Sequence, residues 1–250
     1  MVLIYFTYSD VKTYRCLDVN IYKYNNINTF ICRDIGAMIK MKVILILSQK
    51  GGSGKSTTAI NLAVEFSQKN NTVLLDVDPQ GSTVDWGSQR KEQFEKNNIY
   101  TSYIPLEKIE ETLTALKKNG CEYVIVDTPP IIADAHAKLL KHSDFAVVPL
   151  QTTRNDLPTI TNTVNLIEQA GVDFGIVISR AEVGTTMYEK GKDVLARYGR
   201  VLGTIKSTVK MQYSAYECKG ISEYDAKHEN SIEFKEITNN IIRILQNKGK

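Results

Sequence analysis

Five near-continuous apolar runs limit what this chain can fold into: KVILIL (42–47), TVLLDVD (72–78), EYVIVD (122–127), FAVVPL (145–150) and FGIVIS (174–179). A strand with one wet face alternates apolar with polar residues. A strand that is apolar throughout must be covered on both faces, the situation of a parallel sheet sandwiched between helices. Segments of helical period separate the runs. Residues 55–68 turn Ile60, Leu62, Ala63 and Phe66 to one side, LEKIEETLTALKKNG (106–120) is amphipathic and closed by Gly120, and SIEFKEITNNIIRILQ (231–246) ends the pattern. Asn155 or Asp156 can cap a further helix that has Pro158 in its first turn. IYTSYI (99–104) and RVLGTI (200–205) read as additional strands. The fold class is therefore α/β: a mostly parallel twisted sheet with helices on both faces, formed by residues 41–250 as one domain.

Residues 1–40 stand apart. They hold five tyrosines, the polar patch NNINT and no glutamate, and neither a helical nor a strand period persists. With Met38 and Met41 just ahead of the first clear strand, they are read as an extension outside the folded domain, disordered or preceding the native start. The competing reading is an arm for DNA or a partner, since five Lys/Arg outnumber three Asp. Elsewhere, composition serves mainly to exclude. Four scattered cysteines without a C-x-x-C pair argue against a disulfide framework or zinc site, as does the spacing of His136, His142 and His228. No apolar run approaches the roughly 18 residues of a spanning helix. MVLIYF lacks the basic lead-in of a signal peptide, so a cytoplasmic location is expected. A net charge of +3 decides nothing about nucleic acid.

Chemistry enters at SQKGGSGKSTT (48–58), between the first strand and the first helix. In Gly51-Gly52-Ser53-Gly54 the missing side chains let backbone N–H groups curl around phosphate oxygens, and the helix that follows points its positive end at the same place. Lys55 would reach the β- and γ-phosphates, and Ser56 would offer its hydroxyl to Mg2+. The common pattern G-x-x-x-x-G-K-[ST] wants glycine where this chain has Gln49, and a second lysine, Lys50, stands just before Gly51. Two acidic elements follow. Asp127 ends the strand of VIVDTPP, at the carboxyl edge where open α/β sheets bind ligands, and beside a phosphate loop it would hold Mg2+ through water. In DVDPQGS (76–82), Asp76 and Asp78 are read as facing opposite ways, so that one orients the attacking water and the other is a structural acceptor.

KGGSGKST, DVDPQGS and VIVDTPP, in this order, resemble the ParA/MinD family of deviant Walker-A ATPases over residues 41–250, and DVDPQGSTVDW looks most like the small plasmid-type, ParF-like branch. The resemblance implies a P-loop fold with ATP and Mg2+ as cofactors. Its nucleotide-binding residues are Lys50, Gly51, Gly52, Ser53, Gly54, Lys55, Ser56 and Thr57, with Ser56 and Asp127 at the metal. It makes Lys50 the signature lysine, reaching across an ATP-bound homodimer to the partner's phosphates, and selects Asp78 over Asp76 as the water-positioning residue. Lys50, Lys55 and Asp78 are then the catalytic set.

The same resemblance implies a partition ATPase whose dimer holds non-specific DNA at the nucleoid and is stimulated by a ParB-like centromere-binding protein. Arg180, Lys192, Arg197, Arg200, Lys206 and Lys210 are the candidate DNA contacts; a solvated charged face is the plainer reading of the same run. The extension is too short for a helix-turn-helix domain, so operator-specific binding is not expected. The last helix carries Ile237, Ile241, Ile242, Ile244 and Leu245 with few late basic residues, a pattern that suits packing on the sheet better than a membrane. Two other readings stand beside this one: a MinD-like regulator of division-site placement at the membrane, and an adaptor switched by ATP.

Overall fold

The computed structural model describes residues 19–24, 27–32, 40–94, 99–130, 133–153 and 157–247; for 19–24, 27–32, 133, 134, 157 and 158 it describes the backbone alone. Two compact units divide the chain, Met1–Lys40 and Met41–Lys250. In the first, β1 (Val19–Tyr24) and β2 (Ile27–Cys32) pair antiparallel, Tyr24 opposite Ile27. The sequence shows no persistent strand period there, yet the hairpin forms. Each run is six residues long, too short for a period to stand out from its surroundings.

The second unit holds a seven-stranded sheet in the order β5-β4-β6-β3-β7-β8-β9. Its strands are β3 (Lys42–Ile46), β4 (Thr72–Asp76), β5 (Tyr100–Tyr103), β6 (Tyr123–Asp127), β7 (Phe145–Leu150), β8 (Asp173–Ala181) and β9 (Val201–Lys206). Every pairing between them is parallel. The chain lays β4 and β5 on one side of β3, returns to insert β6 next to β3, and then builds β7, β8 and β9 outward on the other side. Strand order thus reverses at β3, the place where open α/β sheets form a ligand crevice at their carboxyl edge.

The apolar runs are explained by two cores. Successive strand residues point to opposite faces, so Val43 and Leu45 join one core and Ile44 and Ile46 the other. The first core takes Ile109 and Leu113 of α3 (Ile109–Lys118), Leu139 and Leu140 of α4 (Ala133–Leu140), Ile160, Val164 and Ile167 of α5 (Leu157–Gln169), and Leu195 of α6 (Thr186–Tyr198). Opposite lie Leu62 and Phe66 of α1 (Lys55–Ser67), Trp86 of α2 (Ser82–Gln93) and Ile221 of α8 (Ile221–Tyr224). Phe234, Ile237, Ile241 and Leu245 of α9 (Glu229–Asn247) complete that face. α7 (Val209–Tyr216) links β9 to α8. The expected helix at 106–120 begins as a 3-10 turn over Leu106–Lys108 after Pro105, and α3 proper runs Ile109–Lys118. Asn155 and Asp156, expected to cap α5, lie outside the described residues. Among the described residues no helix is long and apolar enough to cross a membrane.

Candidate functional site

β3 ends at Ile46, and the glycine loop carries the chain from the carboxyl edge of the sheet into α1. Gly52 (φ 72°) and Gly54 (φ 91°) take left-handed backbone angles that other residues adopt at a cost. At Gly54 a side chain would also crowd Ser179, 3.2 Å from a Cβ built there. α1 starts without a side-chain cap and without an acidic residue in its first turn. Its first N–H groups and its positive end are therefore left for an anion. Lys55 is buried, and its ammonium donates to the Lys50 carbonyl at 3.1 Å, folded onto its own loop. Burial lowers its pKa, while the carboxylates of Asp127 and Asp78 pull it back up. Ser53 is fully buried with an unpartnered hydroxyl, Lys50 and Ser56 are half-buried, and Gly51, Gly52 and Thr57 face solvent.

Asp127 ends β6, one strand away from the loop's own strand. Its side chain is buried, Oδ1 has no hydrogen-bond partner among the described residues, and the Ser56 side chain lies near enough to the carboxylate to favour its charged form. Burial pushes its pKa up to about 7; Ser56 and Lys55 oppose the shift, and Asp76 and Asp78 reinforce it. A buried carboxylate oxygen lacking a donor, next to a serine hydroxyl at a helix start, fits a hard divalent cation that completes its coordination with phosphate oxygens and water. Among the described residues no group of three or more His, Cys, Asp and Glu is gathered to hold a metal alone.

Asp76 and Asp78 differ in a way the sequence did not reveal. Two residues apart in a regular strand would face the same side, but β4 stops at Asp76 and Asp78 lies in the turn beyond it. The expectation of opposite faces is thus replaced by a strand end. Asp76 is fully buried and accepts from the Asp78 N–H (2.9 Å), the Thr83 N–H (3.0 Å) and the Thr83 hydroxyl (2.7 Å). It caps α2 from a distance, where the residue at the cap, left-handed Gly81, has no side chain to do so. Asp78 is half-buried, and its Oδ1 accepts only the local N–H of Gln80 at 3.0 Å. It is the more accessible of the two carboxylates.

Sequence reasoning passed over several residues around the loop. Gln151, just past β7, donates to the Gly52 carbonyl at 3.0 Å, and Ser179 of β8 donates to the Ser53 carbonyl at 2.6 Å. Thr128 donates to the Ile46 carbonyl at 2.8 Å, joining the ends of β6 and β3. Asn61 of α1 donates to the Thr57 carbonyl (2.8 Å) and accepts from the Ile221 N–H (2.7 Å). His136, read as an ordinary helix or surface position, is fully buried in α4 with its Nε2 3.1 Å from the Pro129 carbonyl.

The six basic candidates do not form one cluster. Arg180 is exposed near the carboxyl end of β8, whereas Arg200 precedes β9 at the opposite edge, its carbonyl accepting from Ile176. Lys192 and Arg197 are exposed on α6. Lys206 pairs with Glu229, and Lys210 with Asp225 at 2.7 Å.

Comparison with known proteins agrees with this arrangement. The CobQ/CobB/MinD/ParA nucleotide binding domain family matches residues 44–221, which span the loop, both acidic elements and the sheet through β9. A maintenance of carboxysome distribution protein A from Gloeobacter kilaueensis is 31% identical over 148 residues, 56% of this chain and 64% of that protein. The chromosome-partitioning ATPase Soj of Thermus thermophilus is 26% identical over 186 residues, 63% of this chain and 74% of Soj. In structure, a plasmid partition protein from Borrelia burgdorferi bound to AMPPNP superposes with a TM-score of 0.65 at 22% identity, covering 82% of this chain and 99% of that one. At that identity the likeness is one of fold. A glycine loop with two lysines, an aspartate with one unpartnered oxygen at the neighbouring strand end and a match across most of the sheet lead to one conclusion: this chain belongs to the CobQ/CobB/MinD/ParA nucleotide binding domain family of P-loop ATPases.

Proposed function

We propose that the chain is an ATP-switched partition ATPase. In this reading ATP assembles a sandwich homodimer that holds DNA without sequence preference at the nucleoid, within the cytoplasm, and hydrolysis releases it. A ParB-like centromere-binding partner stimulates turnover, and the work is segregation or positioning of a plasmid, a chromosome or another cargo. The observation that carries the reading is the pairing of Lys50 and Lys55 on one glycine loop, with Asp78 and Asp127 at neighbouring strand ends. Relatives named for chromosome partitioning and for maintenance of carboxysome distribution support a task of distributing cargo.

Each residue has a part that its position supports. The loop N–H groups and the start of α1 receive the phosphates. Lys55 exchanges the Lys50 carbonyl for the β- and γ-phosphate oxygens, a swap from a neutral to a charged acceptor. Ser56 and Asp127 hold Mg2+, which neutralises charge on the terminal phosphates when bound. Asp78 orients the attacking water. Lys50 lies at the mouth of the loop and reaches the nucleotide of the second copy, so that loss of the γ-phosphate loosens the dimer. Residues 41–250 form the ATPase domain, and 1–40 are an N-terminal extension to it. Arg180, Lys192, Arg197 and Arg200 carry the DNA contacts, with Lys206 and Lys210 weakened by their ion pairs. The membrane alternative finds less support, because Phe234, Ile237, Ile241 and Leu245 of α9 are already buried in the core, with Ile242 and Ile244 partly buried against it.

The test is sedimentation with a random-sequence duplex in ATP and in ADP at rising salt, with anionic liposomes in parallel. ATP-dependent, salt-sensitive DNA binding is expected, and its loss in Lys50→Ala together with the ATP-dependent dimer. Liposome binding without DNA binding would move the assignment to the division-site regulator. Normal dimerisation of Lys50→Ala would remove that lysine from the interface.

A further inference from the structure

We infer that Gln151 and Ser179 are positioning residues for the phosphate loop, holding it from the far half of the sheet so that its N–H groups are aimed before any nucleotide arrives. The inference rests on the proposal that this loop binds ATP and adds the residues that set its shape.

The argument begins with the planar trans peptide, in which the carbonyl of one residue and the N–H of the next point in opposite directions. Gln151 Nε2 donates to the Gly52 carbonyl at 3.0 Å, and this fixes the plane that carries the Ser53 N–H. Ser179 Oγ donates to the Ser53 carbonyl at 2.6 Å, and this fixes the plane that carries the Gly54 N–H. Two successive planes are thus pinned by their oxygens. Their N–H groups are turned away from the strand ends that hold them, in the loop that leads to the uncapped start of α1.

The placement of Ser179 is built into β8. The ladder to β9 shifts register twice, between Ile176 and Val177 and again between Ile178 and Ala181. Within the second shift Arg180 adopts φ 49°, one of two non-glycine residues with positive φ among those described. A bulge at a strand end re-aims a side chain, and a left-handed backbone is unfavourable for a non-glycine residue. The strain coincides with a buried hydroxyl that leaves its own sheet to bond the phosphate loop. Close approach confirms the fit from the other side, since a Cβ at Gly54 would lie 3.2 Å from Ser179 Cβ. A glycine is needed there for the clasp as well as for the backbone angle.

The two donors come from different strands, so the role is tested with two independent variants of the full chain. Ser179→Ala removes the hydroxyl, and Gln151→Met keeps the shape while removing the amide. ATP affinity is measured by titration with Mg2+ present, and inorganic triphosphate is used as a competitor to read the phosphate part alone. Melting of the ligand-free protein is followed alongside. Each variant is expected to bind both ATP and triphosphate about five- to tenfold more weakly, with the ligand-free melting temperature near that of wild type. Unchanged affinities in both variants overturn the inference, whatever happens to the melting temperature. A loss for ATP without a matching loss for triphosphate overturns it too, because the residues would then act on the nucleoside. Failure of the wild-type chain to bind ATP is a separate result and defeats the functional reading itself.

Discussion

His136 shows how a single buried ring can report on the loop after β6. A carbonyl only accepts, so the contact with Pro129 requires the proton on Nε2, and Nδ1 is left buried without a partner among the described residues. A second proton would put a charge where no acceptor waits, with the Lys55 ammonium adding repulsion. Burial first and Lys55 second accordingly lower the pKa from its usual 6.5, against the pull of the Pro129 carbonyl. The unfolded chain then binds the proton more readily than the folded one, so stability credited to neutral His136 is present above the unfolded pKa and is lost as pH falls below it. Compared by urea denaturation with His136→Gln, the wild type should lose its advantage as pH drops from about 7.5 to about 5.5. A gap that stays constant with pH would show that the folded protein tolerates the imidazolium.

At the scale of elements, α2 depends on a residue outside itself. Its cap, Gly81, offers no side chain, and Asp76 at the end of β4 accepts the Thr83 N–H and hydroxyl in its place. Asp76→Ala leaves three donors without their acceptor and should cost about 3 kcal/mol. Hydrogen exchange should quicken at the amides of residues 78 and 83. A loss under about 1 kcal/mol would mean that the turn re-forms unaided. This element also marks the limit of what the sequence reveals. β3, β4, β6, β7 and β8 are legible because burial on both faces writes an unbroken apolar run. α2 is not, because STVDWGSQRKEQ buries only Thr83, Trp86, Gly87 and Arg90 and shows no apolar stripe. The glycine loop and the aspartates that follow two of the apolar runs are legible as residue types at strand ends, whereas the choice of Asp78 over Asp76 comes from the family resemblance and not from the residues themselves. Gln151 and Ser179 are not legible, since a hydrogen bond to a backbone carbonyl can come from many side chains and depends on a bulge set by tertiary pairing.

Over the whole molecule, one arginine ties distant parts of the chain together. Arg90 of α2 is buried, donates to both carboxylate oxygens of Glu223 (2.8 and 2.6 Å) and to the Cys218 carbonyl (2.9 Å), and stacks on Trp86 and Phe94. Glu223 also accepts the Gly220 N–H, and the adjoining Ile221 N–H donates to Asn61 of α1. Gly220 packs so closely on Val64 that a Cβ there would meet three of its carbons at 2.9 Å. Removing the guanidinium in Arg90→Ala should cost about 2–4 kcal/mol, a drop of about 5–10 °C in Tm for a domain of this size. A change below about 2 °C would mean that the junction holds without the guanidinium, its ion pair and its stacking alike. The strand order has a further consequence, for the chain as it is being made. The phosphate loop is synthesised early, but Gln151 and Ser179 follow it by about a hundred residues or more, and α9, which covers the face that α1 packs on, comes last. A chain still on the ribosome thus carries its glycine loop long before anything holds that loop in shape, and the capacity to grip phosphate should appear late, as the last strands leave the exit tunnel.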